Sequence, residues 1–259
     1  MTTKHALILI EYTDMSTSDR DAFIAHLPRL HAHDAIPFAC GPGVACFNVC
    51  CGDLDLPLSP YDVMRLRVAL DIGSSELLRR FGEVSRLPDS GFPVVSLRMQ
   101  SDLARSCPFV REIGCSVYEN RPGACRAYPL GREAEMDADG KLSETVFMVR
   151  ESHCLGFDEA RPPVRVAEYF KSQGLPPYAE FDNRYVALMH LQSSHGHPLN
   201  DSMFERVFTA AYKPDELTDI DAVPASTDHG AHTDRLSRET ARLASAFEWA
   251  RRVLVDERG

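Results

Sequence analysis

Eight cysteines are the residues of this chain whose type and spacing could do chemistry: Cys40, Cys46, Cys50, Cys51, Cys107, Cys115, Cys125 and Cys154. They run C-x5-C-x3-C-C and then C-x7-C-x9-C, with Cys154 last, and residues 155–259 carry none. A thiol can be a small buried hydrophobe, half of a disulfide, a nucleophile or a metal ligand. Core cysteines would have no reason to stop at one point in the chain. Disulfides are disfavoured in a reducing cytosol. Catalytic thiol chemistry uses one or two activated cysteines and leaves the others unexplained. Metal ligation accounts for the number, because zinc and iron–sulfur centres commonly take four thiolates each.

The doublet Cys50–Cys51 sharpens this reading. Adjacent side chains in extended backbone point to opposite sides, so the pair is expected to serve two centres that share one loop. Thiolates gathered together need positive charge nearby. From Arg98 to Arg132 the chain carries arginines at 98, 105, 111, 121, 126 and 132 against only Asp102, Glu112 and Glu119. Arg105, Arg111, Arg121 and Arg126 therefore have an electrostatic reason to lie near sulfur, and each could equally be a surface arginine. His153, beside Cys154, is the histidine closest to the set. His31 and His33 in "HAHD" read as solvated loop residues, and His195, His197, His229 and His232 lie in polar loop sequence with no expected ligand role.

The elements that must position these thiols belong to an ordinary globular composition, 44% hydrophobic and 25% charged. A net charge of −10 argues against a general nucleic-acid binder. No apolar run approaches the ~20 residues of a membrane span. The short run in "HALILIEY" reads as a first strand rather than a signal peptide, so a cytoplasmic protein is expected. A short helix is expected over residues 19–27. "LSPYDVMRL" reads as a helix start, with Ser59 as N-cap, Pro60 in the first position and Asp62 in the first turn. A second helix follows Gly73 with Ser74 or Ser75 as its cap. "FPVVSLRM" and "TVFMV" read as strands, and residues 107–129 are rich in turns. Helices are expected over 164–171, 177–192, 201–211 and 234–255. The last has an apolar face at Leu236, Leu243, Phe247, Ala250 and Leu254 that packs back on the domain or mediates association.

The expected fold is α+β: an irregular, turn-rich cysteine-cluster core with short strands and helices, followed by a helical C-terminal part. The core spans residues 1–160, a helical extension packed on it spans 161–212, an acidic linker 213–234, and an amphipathic helix 235–259.

"FACGPGVACFNVCC", "LSPYDVMRL", "CPFVREIGCSVYENRPGACRAYPL" and "HC" together resemble the YkgJ-type cysteine-cluster family, CxxCxxCC. This bacterial and archaeal group is described as zinc- or iron-chelating, with some members labelled iron–sulfur oxidoreductases. The resemblance covers residues 38–156, and it is most specific at Gly114, Cys115, Tyr118, Arg121, Pro122, Cys125, Arg126, Tyr128 and Pro129. The first cluster departs from the family's nominal C-x2-C-x2-C-C, with gaps of five and three here. The resemblance implies a metal centre whose ligands are the cysteines named above, with Arg121, Arg126, Tyr128 and His153 supporting them. A flagellin lysine methylase shares the cysteine pattern, but this chain has no glycine-rich adenosylmethionine loop, so that activity is not carried over. The resemblance and the Cys50–Cys51 pair place iron–sulfur ahead of zinc, as 4Fe–4S clusters in two centres serving redox chemistry or a modification reaction. The alternative is a structural zinc protein that binds a partner without catalysis. No GxSxG, P-loop, Rossmann or HExxH pattern identifies a catalytic residue. The partner is an unspecified protein or small molecule, with neither nucleic acid nor membrane expected.

Overall fold

A computed structural model describes residues 3–7, 17–194, 196–218 and 232–256. Strand β1 (Thr3–Leu7) and helix α1 (Thr17–His26) precede β2 (Arg29–Leu30) and β3 (Ala35–Ile36). The first cysteines lie on a loop and a 3-10 turn, Val49–Cys51, before β4 (Pro57–Leu58). Helices α2 (Pro60–Leu70) and α3 (Ser74–Phe81) lead to β5 (Gly82–Arg86) and β6 (Pro93–Leu97). The small hairpin β7 (Val110–Arg111) and β8 (Gly114–Cys115) is followed by α4 (Gly123–Ala127). Then come β9 (Leu130–Met136), β10 (Leu142–Met148), β11 (Val164–Arg165), α5 (Val166–Ser172), α6 (Pro176–Ser193), α7 (Asp201–Tyr212) and α8 (His232–Asp256). This is an α+β arrangement.

Antiparallel strands form one sheet in the order β1-β9-β10-β2 and another in the order β4-β6-β5, with β3–β11 and β7–β8 as separate pairs. Helix α2 starts as its sequence predicts. The Ser59 hydroxyl accepts from the Asp62 N–H at 3.2 Å, and the Asp62 carboxylate accepts from the Ser59 N–H at 2.8 Å. These two bonds close a capping box. Helix α3 differs from expectation, since its N-cap is Gly73. Ser74 is instead held by a tertiary partner: its N–H donates to Asp215 at 3.1 Å, and its hydroxyl also donates to that carboxylate. Asp215 thereby supplies the cap from far along the chain. Strand β9, LGREAEM, was not expected as a strand. Its place between β1 and β10 overrides its weak propensity.

The main core lies among α2, α6, α7 and α8. Tyr61 stacks on Phe181 at 4.8 Å, and Tyr185 on Phe247 at 6.0 Å. Leu243, Ala246, Phe247, Ala250 and Leu254 of α8 are buried in that core, so the helix packs back on its own chain. Arg67 of α2, only 3% exposed, pairs with Glu239 of α8 and with Asp215 at 3.5 Å. The start of the expected acidic linker is thus fastened to the helices, while 219–231 lie outside the described residues. No described helix is long and apolar enough to cross a membrane.

Candidate metal centre

Backbone hydrogen bonds bring the thiol-bearing segments together. The Cys107 N–H donates to the Cys51 carbonyl at 2.7 Å, the Asp53 N–H to the Arg105 carbonyl at 3.0 Å, and Gly52 bridges Ser106. A Cβ on Gly52 would meet the Ala104 carbonyl oxygen at 3.0 Å, so this seam is closely packed. The Asn48 amide donates to the carbonyls of Arg111 at 3.1 Å and Glu112 at 3.4 Å, clipping the first cysteine loop to the β7–β8 hairpin. At the other end, the Ala39 N–H donates to the Gly156 carbonyl at 3.0 Å, and Phe38 bridges Phe157. The Leu155 N–H donates to the Cys46 sulfur at 3.1 Å. Helix α4, which carries Cys125, is held at its start by Asp62, whose carboxylate accepts from the Gly123 N–H at 2.7 Å. A Cβ at Gly123 would press on the Tyr178 ring at 3.1 Å, so glycine allows this close approach.

All eight cysteines are free thiols, with Cys40 exposed, Cys107 buried and the others partly buried. Their protons report the crowding. Burial pushes the Cys40 thiol up, and the negative charges of Cys50, Cys46 and Cys154 add to this. Burial pushes Cys125 well up, reinforced by Cys107 and Cys115. Cys107 and Cys115 are raised for the same first reason, while Arg111 acts on both in the opposite sense. The Cys51 thiol donates to the Cys50 sulfur, which draws Cys50 down to about 7 and pushes Cys51 up. A metal ion reverses the cost of gathering thiolates by supplying the opposing charge.

The expected supporting residues take different positions. Arg126 donates to the carbonyls of Arg121 at 3.1 Å, Gln173 at 2.8 Å and Glu119, and to the Tyr178 hydroxyl at 2.9 Å. It ties the loop before α4 to the turn after α5. Arg121 donates to the Tyr118 carbonyl at 2.8 Å and to Gln173 at 2.7 Å, and its charge also favours the thiolates of Cys40 and Cys115. The buried Tyr128 hydroxyl faces Cys154, although no hydrogen bond of ordinary geometry closes on it. His153 pairs with Glu151 at 3.1 Å. His31 and His33 are exposed and stack on each other at 5.6 Å. His195 and His229 lie outside the described residues.

The doublet is not extended, because Cys50 and Cys51 sit in a 3-10 turn with their thiols in contact. Their side chains therefore do not point to opposite sides, contrary to the expectation for extended backbone. Asp62, Asn48, Glu151 and the Leu155 N–H were missed in the sequence, since each acts through a partner far along the chain. A signal was available only for Asn48, a residue type that tolerates left-handed backbone, placed just before the doublet. Asn48 (φ 70°), Asp53 (φ 51°) and Arg105 (φ 45°) all adopt that conformation on the cysteine loops. Backbone strain of this kind is held only where surrounding contacts over-determine it.

The donor chemistry fits a thiolate-bound metal, with free thiols from distant segments facing one another. Among the described residues, however, no three His, Cys, Asp or Glu side chains already converge on one point. The same loops also expose large apolar side chains: Val49 at 54%, Leu103 at 108%, Ile113 at 92% and Leu155 at 57%. Core burial does nothing to fasten these four side chains, and bonds from the neighbouring thiolates to a metal would hold the loops.

No curated protein and no solved structure matches the chain. A family model does match the segment that carries every cysteine. Residues 39–155 match the CxxCxxCC family model, which is described as a "Putative zinc- or iron-chelating domain".

Proposed function

We propose that the protein binds iron through its cysteine thiolates, as iron–sulfur clusters, and that Cys40, Cys46, Cys50, Cys51, Cys107, Cys115, Cys125 and Cys154 are the ligands. The observation that carries this reading is the joining of distant cysteine loops, with the Cys107 N–H on the Cys51 carbonyl at 2.7 Å and the Leu155 N–H on the Cys46 sulfur at 3.1 Å. Eight soft thiolate donors suit iron–sulfur clusters, which commonly take four cysteines each.

When bound, such a cluster supplies one-electron chemistry at a potential set by charge, hydrogen bonds to sulfur and solvent exposure. The chain's own residues act on those variables. The Leu155 N–H donates to the Cys46 sulfur, Arg121 and Arg111 offset thiolate charge, and exposed Cys40 leaves one side open to water. This arrangement fits redox chemistry or a modification reaction in a reducing compartment such as the cytoplasm. A colourless protein with zinc would instead make the loops a structural, partner-binding module. Anaerobic purification with metal and acid-labile sulfide analysis tests the choice. Brown protein with iron and sulfide supports the cluster, and colourless protein with two zinc ions and no sulfide contradicts it.

A further inference from the structure

The geometry points to two four-thiolate centres of fixed membership: Cys40, Cys46, Cys50 and Cys154 in one, and Cys51, Cys107, Cys115 and Cys125 in the other. This assignment rests on the thiolate-chelation reading and specifies it.

The first set is gathered by the segment after Cys154. Leu155 donates its N–H to the Cys46 sulfur, and the Ala39–Gly156 hydrogen bond with the Phe38–Phe157 bridge lays Cys40 alongside. The Val49 N–H donates to the Cys46 carbonyl at 3.0 Å, which keeps Cys50 one turn from Cys46. The second set is gathered by the seam at Gly52 and Ser106. Cys107 donates its N–H to the Cys51 carbonyl, and the β7–β8 hairpin folds Cys115 back opposite Val110, whose N–H donates to the Cys107 carbonyl at 3.1 Å. Asp62 anchors the start of α4 and so places Cys125 against this group.

Packing agrees with the division. Cys51, Cys115 and Cys125 pack against the main core that holds buried Cys107, whereas Cys154 packs against the separate cluster of Phe38, Tyr128 and Phe157. The two sets therefore meet at the doublet. Its 3-10 turn lets one peptide unit feed both, although its side chains do not point in opposite directions.

The test uses the anaerobically purified full chain, with metal content and alkylation of each cysteine mapped by mass spectrometry. Cys115→Ser and Cys125→Ser should each lose about half of the bound metal and expose the other members of their set. Cys40, Cys46, Cys50 and Cys154 should stay protected. Cys46→Ser and Cys154→Ser should give the converse pattern. Exposure of Cys154 in Cys115→Ser, or of all remaining thiols in any folded variant, overturns the assignment. Stepwise chelation of the unmodified chain covers variants that fail to fold. The thiols should become reactive as these two sets in two steps, and a single step or a mixed set overturns the division. A purified chain whose thiols all react before any chelator is added overturns chelation itself.

Discussion

Asp62 is fully buried, yet its carboxylate accepts from the N–H groups of Ser59 and Gly123 at 2.8 and 2.7 Å. It joins the start of α2 to the start of α4 and so connects the helical core to Cys125. Burial raises this carboxyl from 3.8 to about 6, against the lowering effect of those hydrogen bonds and of Arg126. Asp182 of α6, Tyr178 and Cys125 also sense its charge. The folded protein thus holds the proton more tightly than the unfolded chain does. Its stabilising contribution is complete below the ordinary carboxylate range and is lost as pH rises through about 6. The difference is worth about 3 kcal/mol. Urea midpoints measured across that interval should fall with rising pH, and Asp62→Asn should flatten the slope. An equal slope in both proteins would show that Asp62 does not cause it. At this scale the sequence disclosed the cysteines, the Ser59 cap and the place of Asp62 in the first helical turn. It hid the Gly123 contact, because nothing local encodes a partner so far along the chain. The Cys50–Cys51 pair was read from extended geometry, but the left-handed Asn48 just before it turns the chain into a 3-10 helix.

Elements with local signals were legible. Ser59-Pro60 with Asp62 marked the start of α2, and apolar spacing marked α6, α7 and α8. Strand β9 was not legible, since a segment with Arg132, Glu133 and Glu135 becomes a strand only through its neighbours. Its register puts Gly131 opposite Phe147, and a Cβ there would lie 2.0 Å from the fully buried ring. Gly131→Ala should therefore destabilise the protein by about 1–3 kcal/mol through overpacking. A denaturant midpoint unchanged by this substitution would contradict the packing. The attachment of α8 makes a second prediction at this scale. Glu239→Ala removes the closest partner of buried Arg67 and leaves the Asp215 carboxylate at 3.5 Å. A loss of about 3 kcal/mol is expected for an incompletely paired buried charge. If thermal unfolding is unchanged, the pair is not what holds α8 to α2.

Across the whole molecule, a well-packed helical core stands beside loops that have little core of their own. The core is rich in aromatic contacts and holds Cys107, while the loops carry exposed Val49, Leu103, Ile113 and Leu155 together with Cys40, Cys46, Cys50 and Cys154. Removing metal should therefore loosen residues 39–53, 100–106 and 150–157 first and leave the helices folded. Limited proteolysis after chelation should cut in those loops while far-ultraviolet circular dichroism keeps most of its helical signal. Cleavage that starts within α6 or α7 would contradict this division of labour. Clustering of the cysteines pointed to metal ligation in the sequence, but which cysteine segments meet depends on backbone contacts between loops and needed the structure.

Whether the eight cysteines hold a metal is read by native mass spectrometry of the anaerobically purified chain. The mass should exceed that of the bare polypeptide by its bound metal, with iron and sulfide accounting for the excess. All eight cysteines should resist alkylation until the metal is removed. A bare polypeptide mass with eight immediately reactive thiols would show that the cysteines hold no metal.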